Sequence, residues 1–131
     1  MRIRRAAADA IVDHARADAP LECCGLLIGS PDRVEETCRA SNTRNSRVAF
    51  MIDPAGHFAA IRRARAAGLE VIGAYHSHPR SPAVPSATDI RESTDPELLH
   101  LIVSLADAEP VIRAYRVRNG NVTEVALEVE P

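Results

Sequence analysis

A two-residue turn near the C-terminal end constrains this fold more than any other feature. In VIRAYRVRNGNVTEVALEV, residues 111–129, apolar and polar side chains alternate on both sides of Asn119-Gly120. Alternation with a period of two is the pattern of a strand with one buried face, and Asn-Gly is the strongest short hairpin signal a sequence offers. The stretch predicts an antiparallel hairpin, and a hairpin needs further elements to extend it and cover it.

The rest of the chain supplies them. Ala, Ile and Val recur at helical spacing over residues 6–18, before Pro20, which predicts a helix. CCGLLIGS, residues 23–30, is a short apolar run stopped by Gly29-Ser30-Pro31 and suits a buried strand; residues 33–40 then return as its hairpin partner. RVAFMI, residues 47–52, predicts another short strand. Asp53-Pro54 reads as an N-cap followed by proline at the first helical position, and that helix should run to about Ala67 and stop at Gly68. LEVIGAYHSH, residues 69–78, and HLIVSL, residues 100–105, are further strands. Strands both alternate with helices and occur as hairpins. The expected fold class is therefore α+β or mixed α/β, one sheet with helices packed against it, in a single domain spanning residues 1–131.

Composition narrows the function. A net charge of -2, basic residues that are all arginine with no run longer than two, an aromatic content of 3% and no tryptophan argue against a nucleic-acid partner. No apolar run approaches the roughly 20 residues of a membrane span. Asp9, Asp13 and Asp18 interrupt any signal-like core at the N-terminus, and three cysteines make no disulfide framework. A cytoplasmic protein without membrane contact is expected. Oligomeric state stays open, with a homodimer among the expectations.

The chemistry concentrates in AYHSHPRSPAVPSATD, residues 74–89. Side chains at i and i+2 of a strand share a face, so His76 and His78 can present two imidazoles side by side. Pro79 ends the strand, and a proline-rich loop leads to Ser86-Ala87-Thr88-Asp89, where Asp89 falls in the first turn of a short helix. Two neutral imidazoles and a carboxylate form a three-ligand set with a fourth position for water, the pattern of a catalytic metal site. A bland reading stands beside it: His-x-His is often an exposed accident, and Ser-x-x-Asp is by default a capping box that would occupy the Asp89 oxygens. A water on such a metal needs a proton acceptor that is not a ligand. Glu22, just before the buried strand, is the candidate, although a carboxylate in that position is usually on the surface. His14, His57 and His100 read as structural or solvated, and Cys23, Cys24 and Cys38 as small core residues.

These elements together resemble the JAMM (MPN-plus) metallopeptidases, in particular their short stand-alone prokaryotic members. The likeness rests on Glu22 followed by CCGLL, on His76-Ser77-His78-Pro79, and on six residues and then Ser86-x-x-Asp89. It implies a mixed sheet flanked by helices, related to the cytidine-deaminase fold. It further implies Zn²⁺ held by His76, His78 and Asp89, Glu22 as general base and then general acid, and Ser86 as a stabiliser of the oxyanion. The implied substrates are amide or isopeptide bonds at the C-terminal tail of ubiquitin-like or sulfur-carrier proteins. Only ten residues separate Asp89 from the strand at His100, so the long insertions of ubiquitin-specific relatives are missing. The main alternative is a non-catalytic MPN scaffold that mediates protein interaction. RadC-type proteins share the HxHP…SxxD stretch but not the PLECCGLLIG segment. A non-haem iron oxygenase fits the ligand order less well, and a zinc deaminase would need a PCxxC segment that is missing here.

Overall fold

One eight-stranded sheet carries both the core and the candidate site. The computed structural model describes residues 1–43 and 52–131. Its elements in chain order are β1 (Arg2–Ile3), α1 (Arg5–Asp18), β2 (Cys24–Ser30), β3 (Arg33–Ala40), α2 (Pro54–Ala66), β4 (Glu70–His78), α3 (Ala87–Glu92), β5 (Leu99–Ser104), β6 (Val111–Arg118), β7 (Asn121–Val125) and β8 (Glu128–Val129). The sheet runs β7-β6-β5-β4-β2-β3-β1-β8. β4 is antiparallel to β2 and parallel to β5, so the sheet is mixed. A parallel pair requires a crossover, and residues 79–98 with α3 provide it.

Period-two alternation sorts side chains to the two faces. On one face α1 packs Ala7, Ala8, Ile11 and Ala15 against Leu27, Tyr75, Leu101 and Val103. On the other, α2 packs Ala60 and Ala64 against Leu26, Ile28 and Ala74. Successive residues of β2 and β4 thus feed opposite layers.

The local signals in the sequence act as expected. Asp53 Oδ2 accepts from Gly56 N at 2.9 Å and caps α2, with Pro54 at its first position. The helix ends in a Schellman motif: Leu69 N donates to Ala64 O at 2.8 Å, Gly68 N to Arg65 O at 3.1 Å, and Gly68 takes φ 71°. Asn119 and Gly120 have φ values of 51° and 77°, the two positive values that a type I′ hairpin needs. The strand expected over 47–52 falls, up to residue 51, outside the described residues. Ile52 forms an isolated antiparallel bridge with Asn42.

The sequence reading missed β1 and β8. They pair in parallel with each other, and β1 also pairs with β3. A two-sided ion pair fastens this edge: Arg33 Nε and Nη2 donate to Glu130 Oε2 at 2.9 Å and Oε1 at 2.7 Å. Two-residue strands are too short to display a period. No helix among the described residues is long and apolar enough to cross a membrane.

Candidate metal and hydrolytic site

The site forms where β4 leaves the sheet, on the face that α2 covers. His76 and His78 lie there with Ala74, as the i, i+2 spacing predicts, and both are buried. Glu22 reaches them through strand register. Cys24 pairs with His76 in the antiparallel β2–β4 ladder, so two residues further out Glu22 comes opposite His78. The approach is locked by Ser77, whose Oγ accepts from Cys23 N at 2.8 Å while its own N donates to Cys23 O at 3.1 Å. From the other side, Asn42 Nδ2 donates to Glu22 O at 3.0 Å. One ligand atom each from Glu22, His76 and His78 lie within 4.8 Å of one another.

Asp89 enters from α3. The expected competition between capping and metal binding does not arise, because one oxygen faces both ways. Asp89 Oδ2 accepts from Ser86 N at 2.8 Å and closes the capping box with Ser86 Oγ, which accepts from Asp89 N at 3.1 Å. The same Oδ2 lies 3.1 Å from His76 Nε2 and 3.2 Å from His78 Nε2, and the two Nε2 atoms are 3.2 Å apart. His78 Nδ1 donates to Pro82 O at 2.8 Å, so in the neutral ring Nε2 carries a lone pair.

This donor set fits a metal ion. A carboxylate oxygen and an imidazole lone pair repel unless a positive centre lies between them. The edges of this triangle are close to the roughly 3.3 Å expected between donors of a tetrahedral ion with bonds of about 2.0–2.1 Å. Glu22 adds a second sign. It is only 3% exposed, and its buried Oε1 has no hydrogen-bond partner among the described residues. A buried carboxylate oxygen without a donor is costly, and a water held in the site would satisfy it.

The electrostatics follow from burial and proximity. Burial raises the Glu22 pKa to about 7, with His78 opposing and Asp89 adding to the rise. Burial likewise pushes Asp89 upward, but the hydrogen bonds with His76 and His78 dominate and hold it well below the usual carboxylate range. Desolvation lowers His76. It also opposes protonation of His78, yet the Asp89 and Pro82 hydrogen bonds win and the net shift is upward.

A cavity of about 550 Å³ opens beside His76 and Asp89, with Leu26, Val71, Ala74 and Leu98 as its apolar walls and Glu92 and Asp95 among its acidic ones. His100, read as structural, lies on its wall and meets Ser93 Oγ at 3.0 Å. His57 also lines this cavity, whereas His14 is buried across the sheet. Cys23 and Cys24 are buried free thiols and Cys38 is half-buried. The sequence reading passed over Ser77. Its place between the two histidines was the signal the sequence offered, and its full burial came only with the structure.

The family model for prokaryotic homologues of the JAB domain matches residues 4–118. The chain belongs to this family. CysO-cysteine peptidase of Mycobacterium tuberculosis (strain ATCC 25618 / H37Rv) is 34% identical over 130 residues, covering 97% of this chain and 89% of that protein. Desampylase of Haloferax volcanii is 39% identical over 105 residues, 75% of this chain and 76% of its own. Among solved structures, protein DSY2949 from Desulfitobacterium hafniense superposes with a TM-score of 0.91 at 34% identity, covering 99% of this chain and 93% of that one. A structure described as a metalloprotease-like JAMM zinc site in the proteasome and signalosome matches at 26% identity and a TM-score of 0.64, over 100% and 98%. The JAB-family fold agrees with the mixed, helix-flanked sheet expected from sequence, and Glu22, His76 and His78 form a buried group that could hold a metal ion.

Proposed function

We propose that this JAB-family chain is a zinc peptidase or isopeptidase that hydrolyses amide bonds at the C-terminal tail of ubiquitin-like or sulfur-carrier proteins. The observation that carries the reading is the convergence of His76 Nε2, His78 Nε2 and Asp89 Oδ2 beside a buried carboxylate oxygen of Glu22 that has no hydrogen-bond partner among the described residues. The matched relatives support it by being peptidases and conjugate-cleaving enzymes in name.

Zinc held by His76, His78 and Asp89 would supply Lewis acidity and bring the pKa of a water down to about 7. Glu22 Oε1 takes a proton from the attacking water as the C–O bond forms and the carbonyl π pair moves onto oxygen, then returns it to the leaving amine nitrogen as the carbonyl re-forms and the C–N bond breaks. Ser86 Oγ accepts from Asp89 N in the capping box and keeps its own proton, which it donates to the oxyanion on the substrate carbonyl. Pro82 O fixes the His78 tautomer. Glu22, His76 and His78 are buried, while half-buried Ser86 and Asp89 stand nearer the solvent.

The test is incubation of the zinc-loaded chain with sulfur-carrier and ubiquitin-like proteins bearing C-terminal extensions, read by mass spectrometry. The expected result is release of the extension, abolished by chelator and restored by zinc. A zinc-loaded chain that leaves every member of the panel intact would overturn the reading.

A further inference from the structure

The loop between the metal-binding strand and α3 is held in an unusual way. PRSPAVP, residues 79–85, has prolines at three of seven positions, each without an N–H. Such a loop can form little ladder of its own: Val84 N donates to Pro82 O at 2.8 Å, and further donors come from the sheet. Three consecutive carbonyls take side-chain donors from three adjacent strands. Ser104 Oγ on β5 donates to Ser81 O at 2.6 Å, His78 Nδ1 on β4 to Pro82 O at 2.8 Å, and the Tyr115 hydroxyl on β6 to Ala83 O. The middle one is the bond that orients a metal-site histidine.

The outer two are built into the sheet. Ser104 is the register partner of His78, and its Oγ also accepts from Ala106 N at 3.1 Å. Ala83 is buried against Ile102 and Tyr115, and Ile102 is the register partner of His76. The loop therefore runs back over β5 and β6 on the site face before it delivers Ser86 and Asp89.

We propose that Ser104 and Tyr115 are positioning residues, which hold the Ser81 and Ala83 carbonyls so that Pro82 O keeps the proton of His78 on Nδ1 and its Nε2 lone pair faces the site. This rests on the proposed function only for the identity of the metal. Among the described residues, the side-chain hydrogen bonds of Ser104 and Tyr115 go to backbone atoms of Ser81, Ala106 and Ala83. Both act through the Pro82 carbonyl.

The test uses Tyr115→Phe, which keeps the ring and its packing, Ser104→Ala, and the pair. In metal-free protein, above the pH at which His78 titrates, imidazole ¹⁵N shifts report the tautomer. The wild type should show the Nδ1–H form and the variants a growing share of Nε2–H. Competition with a chromogenic chelator should show zinc affinity lower by about 3-fold in each single variant and at least 10-fold in the pair, of the order found when partners of metal-bound histidines are removed. With substrate, kcat should fall while KM stays within about twofold. Should the double variant fail to fold, Tyr115→Phe alone decides. Unchanged ¹⁵N shifts together with wild-type zinc affinity would overturn the proposal. A wild type that takes up no zinc would instead sink the proposed function and leave the tautomer result to judge the loop.

Discussion

Strand β4 has two faces that bury histidine in opposite ways. Toward α1 point Tyr75 and Ser77, and there His14 is only 4% exposed. Its Nδ1 lies 2.7 Å from the Tyr75 hydroxyl and its Nε2 3.3 Å from Asp18 Oδ2. Both ring nitrogens therefore have a polar neighbour. Toward α2 point His76 and His78, equally buried, but there His76 Nε2, His78 Nε2 and Asp89 Oδ2 converge, and Glu22 Oε1 has no hydrogen-bond partner among the described residues. Burial alone does not separate structure from function. What separates them is whether the buried polar atoms satisfy one another or are aimed together at a third party.

The sharpest way to break this contrast is to remove one of the convergent donors. In His78→Ala metal content should fall to near zero and hydrolysis to background, measured by metal analysis and a peptide-release assay. A fully metallated and active variant would contradict the ligand set. Next in size comes Glu22→Gln, which should keep its metal yet lose about 10²–10⁴-fold in kcat, because the attacking water loses its proton acceptor. Near wild-type turnover would assign the base to another group.

On the opposite face, substitutions should change stability and leave the metal alone. Gly25 lies against Tyr75, and a Cβ there would overlap the tyrosine ring and the Cys38 carbonyl. Gly25→Ala should therefore cost about 1–3 kcal/mol in denaturant unfolding, with metal stoichiometry unchanged. Loss of metal without loss of stability would erase the distinction between the faces.

The smallest effect concerns pH. Burial lowers the His14 pKa from its ordinary 6.5, with Asp18 opposing and Arg39 assisting. Below 6.5 the unfolded chain binds that proton more readily than the folded one, so the stability from neutral His14 is present above 6.5 and is lost as pH falls through the lowered folded value. Metal-free wild type and His14→Gln should consequently differ in the pH slope of their unfolding midpoints below 6.5. Parallel slopes would show that His14 is not held neutral.

Most of the architecture was legible because it is written locally. The 119–120 turn, the Asp53-Pro54 helix start and the Gly68 stop each depend on φ preferences and caps that a few neighbouring residues set. The His76/His78 pair was legible for the same reason, since i, i+2 is a property of any strand. Long-range pairing was harder to read. The residues 2–3 and 128–129 join sequence ends, and two residues carry no period. The roles of Ser77, Ser104 and Tyr115 were invisible because each serves a backbone atom far along the chain, 54, 23 and 32 positions away.

The sequence by itself determined which side chains could share a face, where helices begin and stop, and which family the motif resembles. Only the tertiary structure decided that Glu22 is buried opposite His78 rather than exposed, and that a single Asp89 oxygen serves both the helix cap and the histidines. The physical reason is that propensity and periodicity act over a few residues, whereas burial and convergence depend on strand order and register, which exist only once distant segments have paired.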